Sequence, residues 1–186
     1  MSDKDKLKNY LNKISKKIIE DENILNQLIL VKKILLSTIK SKKKVLIFGN
    51  GGSAAISSHV SVDLTKNTKI KAINFNEADL ITCFSNDYGY QNWVSKAIDF
   101  YADKNDVLIL ISSSGKSKNM LNACKAAKRK KIKNIITFTG NKKNNPLSKL
   151  GDINLWVNSN IYNYIENVHQ IWLLSICDLI KLNKIN

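Results

Sequence analysis

Two short segments of small and hydroxyl-bearing residues have the composition of phosphate-binding loops. One is Gly49-Asn50-Gly51-Gly52-Ser53-Ala54-Ala55, and the other is Ser112-Ser113-Ser114-Gly115-Lys116-Ser117. Glycines let backbone N–H groups approach a ligand closely, and hydroxyls at a helix start add donors where the helix dipole favours negative charge. Either segment alone is also typical of a turn or a helix cap. Together, and without GxxxxGK[ST] or GxGxxG spacing, they predict a site for a small phosphorylated molecule rather than a nucleotide.

The rest of the chain alternates between helical and strand patterns that would position these loops. Apolar residues three, four or seven apart between Leu7 and Ile39 predict a long helical region with a break near Asp21. Short apolar runs predict buried parallel strands at 45–48, 70–75, 107–111 and 134–138, with an edge strand at 155–157. Helices are predicted at 53–66, capped by Ser53, and at 90–101, 117–130 and 161–182. This order predicts an α/β three-layer sandwich with a five-stranded parallel sheet and both loops at its carboxyl edge.

Length and composition indicate a single domain and argue against a protein that binds nucleic acid. The 186 residues, 44% of them hydrophobic, suit a single domain spanning 1–186, with 1–40 as a helical region packed on its core. The net charge of +15 comes from 30 basic residues of which all but Arg129 are Lys. Proteins that bind nucleic acid usually rely on Arg for bidentate contacts, so we interpret the charge mainly as a solvated surface, with a field that attracts anionic substrates or nucleic acid as the alternative.

Location and redox state follow from two further patterns. No apolar stretch approaches the ~20 residues of a membrane span, and the first residues do not resemble a signal peptide, so we expect a cytoplasmic protein that does not contact membranes. Cys83, Cys124 and Cys177 are too far apart for a CxxC metal site and odd in number, so we expect buried core thiols.

A series of motifs along nearly the whole chain resembles the phosphoheptose isomerase family of the sugar isomerase (SIS) fold. In order, they are GNGGSAA at 49–55, His59 followed by Asp63-Leu64-Thr65 (family ELT), NDYGY at 86–90, ISSSGKS at 111–117 (family ISTSGNS), TFTG at 137–140 and IENVH at 165–169 (family IQEVH).

This resemblance implies a homotetramer that interconverts sedoheptulose 7-phosphate and D-glycero-D-manno-heptose 7-phosphate for surface polysaccharide. By the same resemblance, Ser112, Ser113, Ser114 and Ser117 would hold the phosphate, and Asn50, Gly51, Gly52, Ser53, Asn86 and Asp87 would line the sugar. The family's general base is a Glu at the position of Asp63. Members that bind zinc hold it with a His, that Glu, a Gln and a second His. The corresponding residues of this chain are His59, Asp63, Glu166 and Leu174.

The departures from the family concern the catalytic groups. Isomerisation through a cis-enediol needs a base and an acid, and Leu174 cannot be either. Asp63 retracts the carboxylate by ~1.5 Å, one C–C bond, and a shift of ~1 Å can cost ~10²-fold in rate. Glu166 adds a carboxylate, so we predict that Asp63 and Glu166 share the acid–base work. Because His59 and Asp63 are four residues apart on one helix face, His59, Asp63 and Glu166 could also form a three-ligand zinc site.

Less specific interpretations remain for these residues. His59 could belong to a polar helix face, His169 could be structural, and the segment at 86–89 could be a plain turn. Three functions are therefore carried forward. The first is a working sugar-phosphate isomerase, the second is a catalytically silent SIS protein that binds a sugar phosphate, and the third is a tetrameric interaction protein like the DnaA-associating branch of the family.

Overall fold

Five parallel strands form the centre of the molecule, which is described here from a computed structural model for residues 1–182. The strands are β1 (Val45–Phe48), β2 (Ala72–Ile73), β3 (Val107–Ser112), β4 (Asn134–Thr139) and β5 (Ile153–Trp156), and their spatial order is β2-β1-β3-β4-β5. Every residue of β1 and β3 is buried. Such continuous apolar runs are typical of parallel strands covered on both faces, which is why these two strands were predictable.

Helices cover both faces of the sheet, as the sequence predicts for a three-layer sandwich. They are α1 (Asp3–Ile18), α2 (Glu22–Ser41), α3 (Gly52–Thr68), α4 (Ala78–Tyr88), α5 (Trp93–Tyr101), α6 (Lys118–Arg129) and α7 (Tyr162–Leu182). One core cluster joins the sheet to α2, α3 and α7 through residues such as Leu35, Leu64 and Trp172. The other joins it to α5 and α6 through Trp93 and Met120.

The N-terminal helical region is interrupted where the sequence predicts. Asp21 is the N-cap of α2, and its carboxylate accepts a hydrogen bond from the backbone N–H of Asn23 at 2.8 Å. Helix α2 buries one face in the core, whereas α1 lies on α7, where Trp172 Nε1 donates to the carbonyl of Ile18 at 2.8 Å. Helix α1 has no buried residue, and its Leu7 stays exposed.

Several local predictions were wrong. The strand predicted at 70–75 is reduced to Ala72–Ile73. Helix α3 begins one residue early, with Gly51 as the N-cap at a φ of 53°, so Ser53 is a buried helical residue and not the cap. Helix α4 was missed, although Leu80, Ile81 and Phe84 are spaced as an amphipathic helix and pack on the core. As a result, 86–88 ends a helix rather than forming a turn. Cys83 is exposed on α4, while Cys124 and Cys177 are buried as expected.

A helix that spans a bilayer needs about 20 consecutive, predominantly apolar residues. Within residues 1–182, no helix combines the length and the hydrophobicity needed to span a membrane.

Candidate active site

The two small-residue loops lie side by side because the strands that precede them are neighbours. Strand β1 pairs with β3, so that Phe48 is opposite Leu110, and each loop follows the carboxyl end of its strand. Their side chains meet directly. Asn50 of the first loop and Asn119 of α6, just after the second loop, exchange two amide hydrogen bonds of 3.1 and 2.8 Å. The expected common edge is therefore present.

The first loop exposes backbone at the start of α3. Gly51 has a φ of 53° and a ψ of −123°, a conformation that side-chain-bearing residues rarely adopt, and both Gly51 and Gly52 are exposed. A Cβ atom on Gly52 would overlap the carboxylate of Glu166. The glycines therefore do two things: they permit the turn, and they let the carboxylate from α7 approach the backbone.

Glu166 reaches this loop from the first half of α7. Its side chain is partly exposed, and its carboxylate lies at the N-terminus of α3, where the dipole of the helix stabilises negative charge. The structure thus places Glu166 beside Gly52, one of the residues expected to line the sugar. A carboxylate in this position could accept or return a proton of a ligand held by the loop.

The second loop presents hydroxyls and an uncapped helix end. Ser112 Oγ donates to Ser117 Oγ at 3.3 Å, and Ser114 Oγ accepts a hydrogen bond from the backbone N–H of Lys116 at 3.2 Å. Ser117 is the N-cap of α6, yet its side chain bonds no N–H group of that helix. Ser113 Oγ is buried and has no hydrogen-bond partner within residues 1–182. The four serines therefore keep hydrogen-bonding capacity at a helix N-terminus, as an anion site requires.

The segment at 86–90 reaches the first loop through its last residue. Asn86 and Asp87 are exposed at the end of α4, where Asn86 Nδ2 donates to Asp87 Oδ1 at 3.0 Å. Tyr90 lies just beyond Gly89, and its hydroxyl donates to Asn50 Oδ1 at 3.1 Å. Contact of Asn86 or Asp87 with a sugar stays a prediction, whereas Tyr90 links this segment to the loop.

His59 and Asp63 lie away from the loops. Their Nε2 and Oδ2 atoms are 3.8 Å apart, which confirms that they share a helix face. They follow Gly52 by seven and eleven residues, or about 10 and 16 Å along α3 at 1.5 Å per residue. Burial, together with the nearby carboxylates of Asp63 and Asp178, raises the pKa of the Cys177 thiol to about 12. Because Cys177 lies on the second half of α7, Asp63 is close to that part of the helix.

The donors expected for zinc do not come together in one chain. Glu166 is at the start of α3, and His59 and Asp63 are two to three turns further along that helix. No group of three or more His, Cys, Asp or Glu side chains within residues 1–182 could hold a metal ion. A three-ligand site of His59, Asp63 and Glu166 therefore does not fit the geometry of a single subunit.

Two further positions of α7 contribute packing rather than proton transfer. His169 is fully buried, and its Nε2 lies 3.1 Å from the carbonyl oxygen of Thr139. Burial lowers the pKa of His169 to about 4, against the opposing effect of the Thr139 carbonyl, so the ring is neutral at pH 7. Leu174, at the position of the family's histidine, is partly buried and packs against the core.

Sequence reasoning did not single out Asn119 as a site residue, and it did not assign a role to Tyr90. Asn119 is 2% exposed and belongs to the buried face of α6, next to Met120 and Ala123. An amide on an otherwise apolar helix face, just after a serine-rich loop, was the available signal, because a buried polar side chain needs a partner.

The fold and the two loops define a SIS domain. The family model described as SIS domain matches residues 6–140, and the chain belongs to this family.

Similar proteins narrow the assignment within that family. The phosphoheptose isomerase of Campylobacter concisus is 33% identical over 180 residues, which are 94% of each chain, and that of Aliarcobacter butzleri is 36% identical over 154 residues, 80% of each. The structure of a phosphoheptose isomerase from Francisella tularensis superimposes with a TM-score of 0.88 at 28% identity, covering 98% of this chain and 100% of that one. The chain is thus a member of the phosphoheptose isomerase family.

Proposed function

We propose that this protein is an aldose–ketose isomerase that interconverts sedoheptulose 7-phosphate and D-glycero-D-manno-heptose 7-phosphate in the cytoplasm, as a step in heptose synthesis for surface polysaccharide. The observation that carries the proposal is the meeting of a serine-rich helix N-terminus, a glycine-rich loop and the Glu166 carboxylate at one edge of the sheet. Relatives named phosphoheptose isomerase, which this chain matches over most of their length, support the proposal.

The serine loop is suited to hold the phosphate. Hydroxyls of Ser112, Ser113, Ser114 and Ser117 and the N-terminus of α6 provide donors, and the dipole of that helix favours the negative charge. The glycine loop lies alongside and would receive the rest of the sugar, so the reacting carbons would lie towards Asn50 and Gly52. Neither loop has the residue spacing of a nucleotide-binding loop, which agrees with a ligand that carries a single phosphate at one end.

Glu166 is the group nearest the glycine loop that can move a proton. Isomerisation removes a proton from the carbon next to the carbonyl and returns one to the neighbouring carbon, while protons shift between the two oxygens. The carboxylate of Glu166 beside Gly52 would act as the base for the carbon proton, and the helix dipole of α3 would favour its ionised form.

Asp63 would act from a second subunit. At about 16 Å along α3 from Gly52, its carboxylate cannot reach a sugar bound at that loop of its own chain. Next to it Val62 is exposed, as are Leu7 and Leu11 on α1 and Leu30 on α2. Exposed apolar residues on several helices favour burial between subunits, so we infer a homotetramer in which Asp63 completes the site of a neighbour.

A zinc site formed by the predicted residues would have to lie between two subunits. Because the donors do not meet in one subunit, the set of His59, Asp63 and Glu166 can be complete only if Glu166 comes from a second subunit. A bound zinc ion would then polarise a sugar oxygen. The acid–base work predicted for Asp63 and Glu166 needs only their two carboxylates.

The proposal is tested by incubating the purified protein with sedoheptulose 7-phosphate in D₂O and following the aldose by NMR, with zinc added or with a chelator present. We expect aldose product with deuterium on the carbon next to its carbonyl, equally in both conditions. Turnover only with zinc would assign His59, Asp63 and Glu166 as ligands. Thermal stabilisation by the sugar phosphate without turnover would favour a silent binding protein. Absence of both turnover and stabilisation would favour the interaction protein.

A further inference from the structure

The side-chain amide of Asn50 makes three hydrogen bonds to residues outside its loop. Its Oδ1 accepts from Asn119 Nδ2 at 2.8 Å and from the Tyr90 hydroxyl at 3.1 Å, and its Nδ2 donates to Asn119 Oδ1 at 3.1 Å. The three bonds come from two elements outside the loop, α6 and the segment after α4. Asn50 itself is only partly buried, whereas Asn119 is 2% exposed.

The orientation of the pair follows from a backbone group. The N–H of Met120 can only donate, and it is shared between the carbonyl oxygen of Ser117 at 3.0 Å and Asn119 Oδ1 at 3.1 Å. The oxygen of Asn119 must therefore face Met120, and its Nδ2 must be the donor towards Asn50. This in turn makes the atom of Asn50 that faces Asn119 Nδ2 the oxygen. The helix backbone thus determines which way both amides point.

A count of donors and acceptors shows what Asn50 has left for a ligand. Both acceptor sites of its Oδ1 are used, one by Asn119 and one by Tyr90, and one of its two N–H groups is used by Asn119. A single N–H remains. Towards a sugar, Asn50 is therefore a donor and cannot act as an acceptor.

On the basis of the isomerase activity proposed above, we propose that Asn119 and Tyr90 are positioning residues that orient Asn50 so that its free N–H donates to the substrate oxygen that gains negative charge in the enediolate. An amide free to rotate would present its carbonyl oxygen to that charge as readily as its N–H group. A donor that is already oriented needs no reorganisation when the charge develops, which is the condition under which such a contact accelerates a reaction.

The alternative is that the pair of amides merely ties the two loops together. Both roles predict some loss on mutation, but only positioning predicts that the effects of Asn119 and Tyr90 act through Asn50. A double-mutant cycle separates the two, because residues that work through one group lose their effect when that group is gone.

The experiment compares kcat and KM for sedoheptulose 7-phosphate in Asn50→Ala, Asn119→Ala and Tyr90→Phe, and in the two double variants that contain Asn50→Ala. We expect Asn50→Ala to lower kcat by ~10²-fold with a much smaller change in KM, as for loss of one oxyanion donor. Asn119→Ala and Tyr90→Phe should lower kcat by less, and neither should lower it further in the Asn50→Ala background.

Two features keep the test decisive. Tyr90 is 56% exposed, so Tyr90→Phe removes one hydroxyl without disturbing the core even if Asn119→Ala does not fold. Asn122→Ala on the same helix is the matched control, since the amide of Asn122 bonds Gln91 and Asn92 instead, and it should keep the wild-type kcat. If the wild type turns over sedoheptulose 7-phosphate and the losses multiply in the double variants, the positioning role is overturned. If the wild type does not turn it over, the proposed function is overturned instead.

Discussion

The carboxylate of Glu166 lies against the backbone of Gly52 so closely that a Cβ atom at that position would overlap it. This contact joins α7 to the start of α3 and places the carboxylate that we propose as the base beside the glycine loop. The role of this glycine is spatial, because a side chain at Gly52 would displace the Glu166 carboxylate, whereas the φ angle there does not require glycine.

Gly52→Ala should therefore reduce activity by displacing Glu166. We expect kcat to fall by ~10²-fold, the usual cost of moving a reacting group by ~1 Å, with little change in melting temperature. Steady-state kinetics and a thermal melt measure both. In the background of Glu166→Ala the same substitution should cost almost nothing further, and an equal loss in both backgrounds would show that the Cβ acts on something other than Glu166.

Glu166→Gln removes the proposed base while keeping its size. General acid–base catalysis contributes ~10²–10⁴-fold, so we expect a loss of that order in kcat with KM changed only slightly. Glu22→Gln, the same change at an exposed position in the first turn of α2, is the matched control and should be unaffected. Normal turnover by Glu166→Gln would mean that another group removes the carbon proton.

Asp63→Asn should abolish turnover without weakening the binding of sedoheptulose 7-phosphate, which isothermal titration can measure. If Asp63 serves the site of a neighbouring subunit, co-expression of Asp63→Asn with Glu166→Gln should restore part of the activity, because mixed tetramers contain some sites with both native carboxylates. Two differently tagged copies of Asp63→Asn are the control and should stay inactive. No recovery in the mixed tetramers would contradict a site shared between subunits.

Ser114→Ala combined with Ser117→Ala should weaken phosphate binding. A hydrogen bond to a charged group contributes about 1.5–3 kcal/mol, so we expect Kd for sedoheptulose 7-phosphate to rise by at least ~10-fold. Ser175→Ala, whose hydroxyl bonds the carbonyl of Ile171 on the exposed side of α7, should leave Kd unchanged. Equal affinities in all three proteins would place the phosphate elsewhere.

The buried His169 should make stability depend on pH. Its pKa is lowered to about 4, chiefly by burial, from an ordinary value of 6.5. Between these values the unfolded chain binds a proton that the folded chain does not, so the free energy of unfolding should fall as the pH is lowered from 6.5 to 4. A pKa lowered from 6.5 to about 4 corresponds to a loss of roughly 3 kcal/mol over this range.

Chemical denaturation between pH 7 and pH 4.5 measures this effect. His169→Gln keeps a donor for the Thr139 carbonyl but cannot titrate, and its stability should fall less steeply over this range than that of the wild type. His59→Gln, at the exposed histidine, is the control and should follow the wild type. Identical slopes for His169→Gln and the wild type would show that His169 is protonated in the folded protein.

The amino-acid sequence by itself determined the central strands, the break at Asp21 and the two loops of the candidate site. These features depend on neighbours in the chain: continuous apolar runs, a capping carboxylate, and glycines or serines directly after a strand. The helix at 78–88 was also present in the spacing of its apolar residues, but the turn-like composition at 86–89 obscured it.

Only the tertiary structure decided which of the functional side chains meet. Helical spacing shows that His59 and Asp63 share a face, but it cannot show that Glu166 lies beside Gly52, about 16 Å along α3 from Asp63. It also cannot pair Asn50 with Asn119, which are far apart in the chain. The physical reason is that periodicity fixes positions within an element, whereas the distance between elements is set by the packing of their buried faces.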